Sequence, residues 1–124
     1  MRTMKVLVIE DDPEFCEILV RSLSTWGHFP TAAFNWFSVM RVLASDRFDL
    51  IVTDIETPTG NALNAFDFLN NDDRIRAIPK IVISGQSGQD VERACLVIGA
   101  KYIRKSPTCV ADLKLEIEAM NLVT

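Results

Sequence analysis

Histidine is nearly absent from this sequence: His28 is the only one among 124 residues. That excludes a histidine-based catalytic triad and a multi-histidine metal centre. His28 itself follows Trp26-Gly27 at a helix exit and is expected in a surface loop. Cysteine is scarce as well. Cys16, Cys95 and Cys109 are an odd number, widely spaced, with no CxxC pair and no Cys/His zinc spacing. Reduced thiols in a cytoplasmic protein fit them better than disulfides or zinc ligands, and Cys16 and Cys95 lie on helical faces that suit core packing. No apolar run reaches the roughly 18 residues of a membrane span. Met1-Arg2-Thr3-Met4-Lys5 leads directly into a strand instead of a signal-peptide core. An excess of basic residues is also missing: 13 Lys and Arg face 17 Asp and Glu, a net charge of −4. That balance argues against direct nucleic-acid binding. Repeats, low-complexity segments and linkers are absent.

What is present is an ordinary globular composition, 48% hydrophobic and 24% charged, long enough for a single domain over 1–124 with one substantial core. Lys5 to Ile9 reads as strand one. Asp12 caps a helix that Pro13 opens and Gly27 ends; its inward face is read as Phe15, Ile18, Leu19, Ser22 and Trp26. Phe29 to Phe34 is a weaker strand, placed at a sheet edge by Pro30. Asn35 caps helix two, with Trp36, Val39, Met40 and Leu43 on one face. Strand three is Leu50 to Thr53, followed by a loop at Glu56-Thr57-Pro58-Thr59-Gly60. Helix three opens at Asn61 with Ala62, Ala65, Phe66 and Leu69 inward. Strand four is Lys80 to Ser84, helix four about Gln89 to Ile98, strand five Tyr102 to Arg104, and helix five about Val110 to Asn121.

Strands alternating with helices in this way give an α/β three-layer (βα)5 sandwich on a parallel sheet. Such a sheet gathers its strand C-termini along one edge, where ligands bind. Glu10 and Asp11, Asp54, Ser84 and Lys105 all stand just past strand ends, so they should converge. Three carboxylates in one place repel one another unless a cation joins them, and hard oxygen ligands in this number suit Mg²⁺. A lysine and a hydroxyl beside them supply charge neutralisation for a transferring phosphoryl group. Asp54, at the end of the most apolar strand, is the candidate nucleophile.

The motifs that carry this pattern are Val6-Leu7-Val8-Ile9-Glu10-Asp11-Asp12-Pro13, Asp49-Leu50-Ile51-Val52-Thr53-Asp54 with Pro58, Ile81-Val82-Ile83-Ser84-Gly85, and Gly99-Ala100-Lys101-Tyr102-Ile103-Arg104-Lys105. Over essentially the whole chain the sequence resembles the receiver domain of two-component response regulators, the CheY-like family. The resemblance implies a doubly wound, flavodoxin-like fold with strand order 2-1-3-4-5. It implies Asp54 as phosphoacceptor, Glu10 and Asp11 with Asp54 as Mg²⁺ ligands, and the backbone carbonyl of Glu56 as a further ligand. It makes Ser84 and Lys105 the groups that meet the phosphoryl oxygens, and Ser84 with Tyr102 the switch pair. The side chains of Glu56 and Gln86 would tune hydrolysis. The implied phosphodonor is a phosphohistidine on a sensor histidine kinase or a histidine phosphotransfer protein, and self-catalysed phosphorylation and slow dephosphorylation follow.

Three features depart from the family pattern. Ser106 stands where proline after the lysine, with a cis peptide, is usual, and a cis Lys105–Ser106 bond would cost about 2.5–4 kcal/mol. The stretch from Pro58 to helix three lacks the usual Met-Asp-Gly and reads as longer. Gly85 replaces a more common alanine and should leave access to Asp54 open. No helix-turn-helix or catalytic output module follows helix five within these residues, so output is expected through helix four, strand five and helix five. Leu96 and Val97, with Ala111, Leu115 and Leu122 opposite the Leu113, Ile117 and Met120 core stripe, would form a surface there for a downstream partner or a homodimer. The principal alternative is a pseudo-receiver that binds proteins without taking phosphate. A metal-dependent phosphatase is suggested only by Asp54-Ile55-Glu56-Thr57 and needs a larger chain. A flavin-binding domain is disfavoured because Glu10-Asp11-Asp12 would repel an anion.

Overall fold

A computed structural model describes residues 2–57 and 60–123. Strands β1 (Lys5–Ile9), β2 (Phe29–Ala33), β3 (Leu50–Thr53), β4 (Lys80–Ser84) and β5 (Ala100–Arg104) form one parallel sheet in the order β2-β1-β3-β4-β5. The crossovers are helices α1 (Pro13–Thr25), α2 (Trp36–Ser45), α3 (Ala62–Leu69) and α4 (Gln89–Val97), and α5 (Cys109–Val123) follows β5. β2 is an edge strand, as Pro30 requires.

Alternation along the strands divides the core into two layers. Leu7, Ile9, Ile51 and Val82 face α2, α3 and α4 through Val39, Leu43, Phe66, Leu69 and Cys95. Val6, Val8, Leu50, Val52, Ile81 and Ile83 face α1 and α5 through Cys16, Leu19, Leu23, Cys109, Leu113 and Ile117. β3 is therefore buried on both faces, and each of Leu50, Ile51 and Val52 contributes roughly 1.5–3 kcal/mol of burial. All three cysteines are free and buried. At the start of α1 the Asp12 carboxylate accepts from the backbone N–H groups of Glu14 and Phe15, and Gly27 at φ 90° turns the chain out of the helix.

Several expectations are corrected. α1 turns Cys16, Leu19 and Leu23 inward and leaves Ile18 at 48% exposure. α2 buries Val39 and Leu43, while Met40 is exposed. β5 begins two residues early, at Ala100. His28 is buried, not in a surface loop: its Nδ1 accepts from the Met4 N–H at 3.1 Å, and burial holds the imidazole below its usual pKa. Glu56–Thr57 pairs antiparallel with Gly60–Asn61, so part of the expected loop is a small hairpin. Pro58, and with it part of the stretch read as longer, lies outside the described residues, as does the side chain of Leu122. Ile75 anchors a single helical turn, Asp73–Arg76, after α3. Lys80, first in β4, is buried, and its ammonium donates to Ile75 O at 2.9 Å and Ile78 O at 2.8 Å.

Candidate phosphoryl-transfer site

The parallel sheet brings Glu10 and Asp11, after β1, beside Asp54, after β3. Ligand oxygens of these three residues lie within 4.8 Å of one another. The pairing of Ile9 with Thr53 sets this proximity, and Asp54 N–H donates to Ile9 O at 3.0 Å. Glu10 is buried, Asp54 is partly covered and Asp11 is exposed. Burial pushes the Glu10 carboxyl up; the Asp12 N–H and Lys105 act against that shift, and the Asp54 charge adds to it.

Lys105 closes the cluster. Its Nζ lies 3.1 Å from Glu10 Oε1 and 3.4 Å from Asp54 Oδ2. The ammonium also sits over the Phe15 ring, 4.4 Å from its centroid. Burial works to lower the lysine, but the hydrogen bond to Glu10 and the Asp54 charge outweigh it and hold its pKa above the usual value. No cis peptide occurs among the described residues, so the Lys105–Ser106 bond is trans. Lys105 N–H donates to Ser84 O at 2.8 Å, which keeps the ends of β4 and β5 together without a proline.

Asp54 is oriented from both sides. Its Oδ1 accepts from the Ile55 N–H at 2.7 Å, while Oδ2 points to the lysine. The Thr53 hydroxyl donates to Asp54 O at 2.7 Å. Ser84 is buried, and its Oγ accepts from the Gln86 N–H at 3.1 Å. Tyr102 is half-buried, and its hydroxyl donates to Gln86 O. Glu56 and Gln86 meet at the rim: Gln86 Nε2 is 3.4 Å from Glu56 Oε1, which also accepts from Asn61 Nδ2 at 3.0 Å.

The residues read from the sequence thus fall at one edge of the sheet. Phe15 was read there only as a core residue, and nothing in its spacing signals that it lies under the lysine. The hairpin that fixes Glu56 was also missed, because a two-residue pairing leaves no periodic pattern.

Comparison with known proteins agrees with this geometry. The sequence profile of the response regulator receiver domain matches residues 6–117. The chain is 27% identical over 114 residues to the transcriptional regulatory protein CrdR of Helicobacter pylori, covering 92% of this chain and 53% of that one. It spans about half or less of the length of the curated relatives it matches. In fold it is similar to a two-component response regulator from Clostridium difficile, with a TM-score of 0.85, 22% identity, and coverage of 95% of this chain and 94% of that one. It is also similar to the receiver domain of a sensor histidine kinase from Pseudomonas aeruginosa, a structure with magnesium coordinated in the active site cleft. There the TM-score is 0.82 at 22% identity, covering 95% and 97% of the two chains. The profile match over most of the chain and the acidic pocket at the sheet edge lead to one conclusion: the chain belongs to the response regulator receiver domain family of two-component signalling.

Proposed function

We propose that the chain is a single receiver domain working as a phosphorylation switch, in which Asp54 takes a phosphoryl group from a phosphohistidine. The donor would be a sensor histidine kinase or a histidine phosphotransfer protein. The observation that carries this reading is the contact of one lysine with both a buried carboxylate and Asp54, within a cluster of three carboxylates.

The donor set fits a magnesium ion. Three carboxylate oxygens within 4.8 Å of one another hold more negative charge than Lys105 alone offsets, and Glu10 is costly to ionise where it is buried. Glu10, Asp11 and Asp54 would hold the ion, with the Glu56 carbonyl as a further ligand. When bound, Mg²⁺ would neutralise charge on the phosphoryl oxygens and on the carboxylates that surround them.

The chain's own residues do the rest. Asp54 Oδ attacks phosphorus while the N–P bond to the donor imidazole breaks, and the imidazole leaves as a neutral base after taking up a proton. The Ile55 N–H holds the other carboxylate oxygen and so presents Asp54 in one orientation. Lys105, held protonated by its carboxylate partners, contacts the incoming phosphoryl oxygens. The Ser84 hydroxyl turns toward the phosphoryl group, and Tyr102 follows it, carrying the change to the surface of α4, β5 and α5. Leu96, Val97 and Leu115 are exposed on those helices and would meet a downstream protein or a second copy. The phosphoryl transfer would take place in the cytoplasm.

Intact mass after incubation with acetyl phosphate tests the reading. One phosphoryl group should be gained with Mg²⁺, and none after chelation or in Asp54→Asn. An unmodified wild-type chain under these conditions would favour the pseudo-receiver.

A further inference from the structure

Four of the seven phenylalanines, Phe29, Phe34, Phe37 and Phe68, are more than half exposed. Phe37, at 78% exposure, and Met40, at 48%, lie one turn apart on α2. Met40 lines an open groove between α2 and the end of α3, together with the buried Leu43, Leu69 and Ile75 and with Phe68, which is 71% exposed. An apolar surface of this kind, outside the α4–β5–α5 face, is not explained by phosphoryl transfer.

The charges beside the groove identify what covers it. The only ionisable residue of α2 is Arg41, and the only ionisable residue of α3 is Asp67. Both are exposed, and neither forms an ion pair among the described residues. Each stands five residues past the first residue of its helix. The two helices follow strands of one parallel sheet and cover the same face, so they run in the same direction. A two-fold axis parallel to them, between α2 and α3, lays α2 of one copy over α3 of the other. In the dimer so formed, Arg41 of each copy would face Asp67 of the other, and Met40 would close over Phe68. The surface is complementary to itself, as an isologous dimer requires.

We infer that the α2–α3 face is the contact of a symmetric homodimer, distinct from the α4–β5–α5 face and independent of phosphorylation. The charges that line the groove are already used within the chain, which leaves the Arg41–Asp67 pairs to set the register. Arg74 donates to Leu43 O at 2.7 Å, and Asp72 caps Arg74 N.

Sedimentation equilibrium of the unphosphorylated chain, up to about 1 mM, reads the association directly. A concentration-dependent dimer is expected. Phe68→Asp should abolish it. Arg41→Glu and Asp67→Lys should each weaken it at least about tenfold, the loss of one charge pair per symmetry-related contact. Arg41→Glu combined with Asp67→Lys should restore it, which no folding defect could do. A monomer throughout the range would overturn the inference. So would a dimer that survives Phe68→Asp but is lost in Leu96→Asp or Leu115→Asp, or a double charge reversal no tighter than the single ones.

Discussion

Lys105 and Glu10, separated by 95 positions in sequence, meet at 3.1 Å, and the carboxylate of that pair is 2% exposed while the lysine is 31% exposed. The lysine is thus a structural counter-ion for a buried acid, beside the role proposed for it at the phosphoryl group. Removing it leaves Glu10 enclosed with two other carboxylates. Lys105→Met should lower stability by about 2 kcal/mol without Mg²⁺, less than the 3–5 kcal/mol of a fully enclosed pair because solvent screens the lysine. Urea unfolding measures this, and added Mg²⁺ should recover part of the loss. An unchanged midpoint would mean that Lys105 does not neutralise Glu10.

Lys80 gives a pH signature. Burial pushes its ammonium down to about 8, whereas an unfolded lysine titrates near about 10.4. Between these values the unfolded chain binds the extra proton, so this group makes stability rise with pH. Cys16 and Cys95, raised by burial, act in the opposite sense. They are common to both proteins when wild type is compared with Lys80→Met. The stability of wild type relative to that variant should therefore grow from about pH 8 to about pH 10. A difference that stays flat over this range would contradict a depressed lysine.

Gly60 carries the hairpin close to α2. A Cβ at this position would meet Trp36 Cδ1 at 2.8 Å, and Trp36 is itself packed edge-on against Phe66. Gly60→Ala should cost about 1–3 kcal/mol by overpacking. The Trp36 contribution to fluorescence should shift with it; Trp26→Phe isolates that signal. Unchanged stability and emission would show that the hairpin yields freely.

Glu56 and Gln86 face each other across the mouth of the site. A carboxylate and an amide so placed can hold a water for attack on the phosphoryl group. Combined Glu56→Ala and Gln86→Ala should lengthen the phosphoryl lifetime severalfold, followed by loss of the adduct after the donor is removed. A lifetime equal to wild type would remove both residues from hydrolysis.

The site was legible because strand ends in a parallel sheet share an edge. Once Ile9, Thr53, Ser84 and Arg104 are strand termini, Glu10, Asp54 and Lys105 have little choice of neighbourhood. Helix faces were less legible. In α1 the apolar arc includes Phe15, Cys16, Ile18, Leu19, Val20 and Leu23, too broad for periodicity to say that Ile18 faces out. His28 and Lys80 were misread or overlooked for another reason. The partners that allow their burial are the Met4 N–H, 24 residues away, and two carbonyls of an irregular turn, and neither leaves a local pattern.

The most direct test locates the phosphoryl group. After phosphorylation with acetyl phosphate and Mg²⁺, reduction with borohydride converts an aspartyl phosphate to homoserine, and peptide mapping finds the altered residue. The conversion should occur at Asp54 alone, in the peptide that also holds Thr53 and Ile55. Conversion at Asp11 or another carboxylate, or none at all, would contradict the assignment of Asp54 as the phosphoacceptor.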